Sequence, residues 1–121
     1  MKICTGIRSK LISALMLFCL LALTAQAAET AKTIQINAKR YEFTPSEIVV
    51  KRGVPVVLQL STEDRSHGFS APDFDIRTDI LPGKPTEVKL LPTKIGKFDF
   101  FCDIFCGSGH ESMLGKIIVI E

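Results

Sequence analysis

Beyond residue 28, polar and apolar positions alternate at a period of two instead of recurring every three or four, which is the pattern of half-buried strands rather than helices. Thr33, Gln35 and Asn37 interleave with Ile34, Ile36 and Ala38, giving one wet face and one dry one. Runs rich in Val, Ile, Leu and Phe follow at 47–50, 54–60, 67–71, 86–91, 97–101 and 114–120, so about seven strands are predicted. Between them lie Thr44-Pro45-Ser46, Arg52-Gly53, Leu81-Pro82-Gly83-Lys84-Pro85 and Lys94-Ile95-Gly96. These are turns, because proline fixes φ and glycine admits a positive one. Pro55 falls near the start of its strand, where a missing N–H is tolerated. Residues 72–80 carry too much aspartate for a strand to be assigned. Without a βαβ rhythm, internal repeat or linker, the fold class is all-β, a sandwich or small barrel.

The first 27 residues break this pattern. Lys2, Arg8 and Lys10 precede an apolar run from Leu11 to Leu23 that ends in Ala25-Gln26-Ala27, the layout of a secretory signal. An uncleaved anchor is the competing reading, since the apolar or small stretch from Leu11 to Ala28 reaches the short limit of a membrane span, although Ser13, Thr24 and Gln26 interrupt it. Cys4 and Cys19 belong to this leader, and Phe18 before Cys19 does not suit lipid attachment. Either way the folded part is expected to be periplasmic or otherwise exported, with no span in the mature chain unless the leader is kept. Removing residues 1–27 leaves residues 28–121, 94 in all, enough for one modest core and too few for a large multi-domain enzyme.

Composition alters little: 121 residues, 46% hydrophobic and 23% charged, are ordinary for a globular protein. The formal charge of +2 belongs to the leader, because the remainder has twelve basic against thirteen acidic residues, a net −1. Lacking a basic cluster interleaved with aromatics, the mature chain is not expected to bind nucleic acid.

After the leader only His67, His110, Cys102, Cys106 and Met113 remain as soft or imidazole donors, and four of these five fall within residues 102–113, between the last two predicted strands. Thiolate, thioether and imidazole suit copper, whereas hard cations want carboxylates. Loop residues at these spacings can turn toward one point, with Gly107 and Gly109 allowing a tight backbone and His67 closing the site from a distant strand. Blander readings stand beside this one. The two cysteines form a disulfide in an oxidising compartment and no metal binds; Met113 is core filler and each histidine a satisfied residue; or two Cys and two His close a zinc site, leaving Met113 surplus. The ordered combination favours a metal, and softness favours copper over zinc.

The run Cys102-x-x-x-Cys106-x-x-x-His110-x-x-Met113 resembles the binuclear copper A (CuA) motif of cytochrome c oxidase subunit II and nitrous oxide reductase, a cupredoxin domain. His67-Gly68-Phe69, Leu81-Pro82-Gly83 and Gly115-Lys116-Ile117-Ile118-Val119 resemble its other stretches, so the likeness runs from about Tyr41 to Glu121. It implies a cupredoxin-like Greek-key fold holding two copper ions. Cys102 and Cys106 would bridge them, His67 and His110 would each bind one, and Met113 and the backbone carbonyl of Ile104 would be the weak ligands. It also implies single-electron transfer with a partner such as a cytochrome c or a terminal oxidase or reductase. With every ligand position taken, no place is left for a substrate, and the chain is expected not to be an enzyme.

Departures from that family sharpen the expectation. Oxidase subunit II usually starts with two membrane spans and offers an aromatic patch including Trp, whereas this chain has at most one span, no Trp and a single tyrosine, Tyr41. A stand-alone soluble carrier is expected. Phe69, Phe105 and Leu114 are candidates for an apolar docking rim, unless at least two of them are core residues. Asp103 and Glu111 either tune potential and partner choice or merely solubilise the loop. Two further functions use the same residues: a copper storage or delivery protein with a copper donor or acceptor as partner, and a mononuclear blue-copper carrier built from His67, Cys106, His110 and Met113 with Cys102 free.

Overall fold

The computed structural model describes residues 30–121, so the expected signal or anchor at 1–27 lies outside the described residues. Among those described, no helix is long and apolar enough to cross a membrane. In chain order the strands are β1 (Lys32–Lys39), β2 (Glu42–Thr44), β3 (Glu47–Lys51), β4 (Val56–Thr62), β5 (His67–Ala71), β6 (Ile76–Ile80), β7 (Thr86–Leu90), β8 (Gly96–Phe101) and β9 (Leu114–Ile120). One sheet has the order β2-β1-β4-β7 and the other β3-β9-β8-β5-β6. The β1–β4 and β3–β9 pairs are parallel and the remaining pairs antiparallel.

The period-two pattern decides which faces meet. Along β4, Val56, Leu58, Leu60 and Thr62 are buried, and along β1 the neighbouring Ile36 and Ala38 are buried with them. Three phenylalanines join the two sheets: Phe43 from β2 lies 6.0 Å from Phe69 and 5.1 Å from Phe100 between ring centroids, and Phe69 lies 5.0 Å from Phe100. Each such aromatic contact adds about 0.5–1.5 kcal/mol beyond the burial of area.

Among the described residues nine strands stand where about seven are expected, and each addition has a physical reason. With only three residues, β2 is too short to show alternation, yet it inserts Phe43 into the core. Strand β6 is an edge strand whose charged Arg77 and Asp79 face outward, so its aspartate marks solvent exposure and not a loop.

Topology places both chain segments of interest at one end of the second sheet. Strand β8 runs into residue 102 and β9 leaves from residue 114, with Phe101 paired to Leu114, so residues 102–113 form a loop whose ends are neighbours. The backbone N–H of Cys102 donates to the Met113 carbonyl at 3.1 Å and closes its neck. Strand β5 is antiparallel to β8 with Ser70 opposite Phe101, which brings the start of β5, where His67 sits, alongside the start of the loop.

Candidate metal centre

His67 is supplied by the sheet. It pairs with Ile80 of β6 and is wholly buried. Its Nε2 lies 2.8 Å from Asp64 Oδ1, and since a carboxylate only accepts, Nε2 donates there and Nδ1 is the ring nitrogen left to face elsewhere. That nitrogen points at Cys102 Sγ, 3.9 Å away. Asp64 is held in turn by donors from Arg40 N (2.8 Å), Arg65 N (2.7 Å) and Thr62 Oγ1 (3.0 Å). Burial alone would raise its carboxyl, but these donors together with His67 hold it well below the usual carboxylate range.

The remaining donors come from the loop. Cys102 and Cys106 are buried free cysteines, and their sulfurs lie with His67 in a cluster whose ligand atoms are all within 4.8 Å of one another. The Cys102 thiol donates to the Ile104 carbonyl at 3.2 Å and accepts from Gly68 N at 3.4 Å. Cys106 Sγ is 3.7 Å from His110 Nδ1 and 3.8 Å from Met113 Sδ. Burial pushes the Cys106 thiol up, and nearby Cys102 adds to that, while the positive charge of Arg65 works against it. Of the six predicted ligand residues, then, the structure gathers every one around the two sulfurs, with Met113 buried and His110 partly exposed in the short helical turn His110–Ser112.

Such a donor set, two thiols, two imidazole nitrogens, a thioether and a carbonyl, is soft and suits copper by its chemistry. The cupredoxin-like domain family matches residues 11–119 of the chain. This chain belongs to the cupredoxin-like family. Cytochrome c oxidase subunit 2 of Thermus thermophilus is 29% identical to the cupredoxin over 96 residues, covering 79% of this chain and 71% of that protein. Nitrous-oxide reductase of Ralstonia nicotianae is 30% identical over 91 residues, which is 72% of this chain but 14% of that protein's length. Among solved structures, the periplasmic domain of subunit II of cytochrome oxidase of Bradyrhizobium japonicum has a TM-score of 0.71 at 23% identity, covering 79% of this chain and 88% of that one. The cupredoxin is thus related to oxidase subunit II, and its His67, Cys102 and Cys106 cluster fits the copper A pattern.

Two expectations about the rim are corrected. Phe69 is not part of it: as the third residue of β5 it faces inward and is fully buried. The opposite reading, that at least two of the three apolar residues are core, also fails, because Phe105 is 71% and Leu114 49% exposed. Phe101, 39% exposed, joins them. Gly109 has φ −95, a value any residue adopts, so its backbone does not call for glycine. The Tyr41 ring does, since a Cβ on Gly109 would lie 2.4 Å from Tyr41 Cγ.

Sequence reasoning missed three residues that bond to the candidate ligands or to their chain neighbours. Asp64 orients His67 and sits three positions before it, a spacing that offered a signal within the polar run 61–66. Arg65 donates from Nη1 to the Cys106 carbonyl at 3.3 Å. Arg77, in the aspartate-rich stretch 72–80, forms a forked ion pair with Asp103. Neither arginine has a local signal, because each partner is far away in the chain.

Proposed function

We propose that this cupredoxin is an exported electron carrier holding a dinuclear copper centre of the CuA type. Cys102 and Cys106 would bridge two coppers, His67 and His110 would each bind one, and Met113 and the Ile104 carbonyl would bind weakly. The observation that carries this reading is the pair of reduced, buried sulfurs within 4.8 Å of each other and of the His67 ring nitrogen. Two coppers sharing two sulfurs spread one unpaired charge, so gaining an electron changes little in their surroundings. The chain's own part is to keep the ligands still. His67 is locked by Asp64 and by the sheet, and the loop neck is tied by the Cys102 to Met113 hydrogen bond. No donor position is left over for a substrate, which fits a carrier and not a catalyst.

An apolar face beside the site supports exchange with a redox partner such as a cytochrome c or a terminal oxidase. Phe101, Leu114 and Met113 line an open cleft of about 420 Å³ that reaches His110 and is edged by Asp99, Asp103 and Glu111. Burial of four of the five donor side chains, Cys102, Cys106, His67 and Met113, favours retention of metal over delivery.

Metal analysis and electron-spin resonance of protein purified from copper-supplemented cells test the reading. Two coppers per chain with one unpaired electron shared by both are expected; one copper, zinc or none overturns it. Cys102→Ser separates the shared-sulfur pair from a blue site of His67, Cys106, His110 and Met113. The pair loses its two-copper signal, whereas a blue site keeps one copper and its colour. Rapid loss of Cu(I) to a chelator would point to delivery.

A further inference from the structure

We propose that Arg77 is a positioning residue which, acting through Asp103, holds the Cys102 and Cys106 pair open as a dithiol. Arg77 donates from Nε and Nη2 to Asp103 Oδ2 and Oδ1, both at 2.8 Å, and from Nη1 to Asp79 on its own strand. Two parallel N–H···O bonds between planar groups fix direction as well as distance. One end of this fork is anchored on β6, and the other ends on the residue between Cys102 and Ile104. The link crosses β5 above Gly68, where a Cβ would lie 1.8 Å from Asp103 Oδ1, so the carboxylate fills space that only glycine leaves. Asp103 is therefore neither a free docking charge nor a solubilising one; its charge is answered within the fold.

A disulfide needs its sulfurs about 2.05 Å apart and its Cβ atoms about 3.8 Å apart. Here each sulfur has partners of its own: Cys102 Sγ lies between Ile104 O and Gly68 N, and Cys106 Sγ faces His110 and Met113. The backbone at Cys106 is held by Arg65 across the turn before β5. Closing the bond draws at least one sulfur away from these partners and drags the loop, whose first residues are tied to β6. The fork thereby tilts the exchange equilibrium toward the dithiol, the form from which thiolate ligands arise. The inference rests on the copper reading only for why an open pair matters.

The reaction that reads it out is exchange with glutathione disulfide. The chain loses two electrons and two thiol protons as the Cys102–Cys106 bond forms, and the glutathione disulfide gains them to become two glutathione thiols. The full chain is freed of metal with chelator, equilibrated across glutathione buffers, and its disulfide fraction read by thiol alkylation and mass. Arg77→Gln and Asp103→Asn are each expected to shift the equilibrium about three- to fivefold toward the disulfide, with the double variant no further. Arg77→Lys, a cation without the fork, recovers part of the shift. Arg52→Gln, whose partner Glu121 lies at the other end of β9, leaves it unchanged. Variants that lower the melting temperature of the dithiol without moving the exchange equilibrium, or that act additively, overturn the proposal. Copper stoichiometry measured separately keeps the two readings apart: a chain that shows the shift but takes no copper loses the carrier function and retains this role for Arg77.

Discussion

The two imidazoles of the proposed metal centre are held by opposite kinds of scaffold. His67 opens a strand paired on both sides, is 0% exposed, and has its ring fixed by Asp64. His110 sits in a loop, partly exposed, in a helical turn of three residues, with Phe105 beside it at 5.7 Å between ring centroids. Identical chemistry is thus asked of one residue that is part of the core and of one that is not. The core supplies an immobile reference against which the loop, tied at its neck and by two arginines, is set.

The contrast predicts unequal consequences for equal losses. His67→Ala removes a buried ring and a partner of Asp64, and is expected to destabilise the metal-free protein by about 2–4 kcal/mol. His110→Ala should change stability by no more than about 0.5 kcal/mol. Both should abolish the shared-spin copper signal. Denaturant unfolding beside metal analysis checks the pair; equal stability losses would erase the distinction between sheet-borne and loop-borne ligands.

This division also marks what the sequence made legible. Strand β5, from His67 to Ala71, and β9, from Leu114 to Ile120, stand where alternation and β-branched runs place them, because burial on one face forces the period. The donor residues stood out because sulfur and imidazole are rare in the chain and fall close together. What stayed hidden depends on distance in the chain: Arg77 meets Asp103 across 26 positions and Arg65 meets Cys106 across 41. Phe69 and Phe105 look alike in sequence, yet one faces the interior of a sheet and the other the solvent at a loop tip, a difference set by register and not by composition.

A smaller effect probes how the loop is seated. Gly109→Ala places a methyl group against the Tyr41 ring and is expected to cost about 1–2 kcal/mol, since overpacking outweighs the modest gain from a stiffer unfolded chain. Tyr41→Ala should make the Gly109→Ala change nearly neutral, because the obstruction has gone. Thermal unfolding of the four proteins in this cycle gives the coupling. An additive outcome would mean that Tyr41 does not seat residues 107–109.

The smallest expected effect on folding falls at the most exposed apolar residue of the loop. Phe105 is 71% exposed and gives little area to the core, so Phe105→Ala should move stability by about 0.5 kcal/mol or less. Its ring lies beside His110, a proposed ligand, so it is the exposed apolar residue to test for docking there. Loss of one aromatic anchor from a weak interface is worth about 1–2 kcal/mol of association, so under the proposed function electron exchange with a cytochrome c should slow about five- to thirtyfold while the copper signal is kept. Stopped-flow mixing at several partner concentrations distinguishes the cases. A slower second-order rate with an unchanged limiting rate places Phe105 in docking, whereas an altered spin signal would make it part of the loop's internal support.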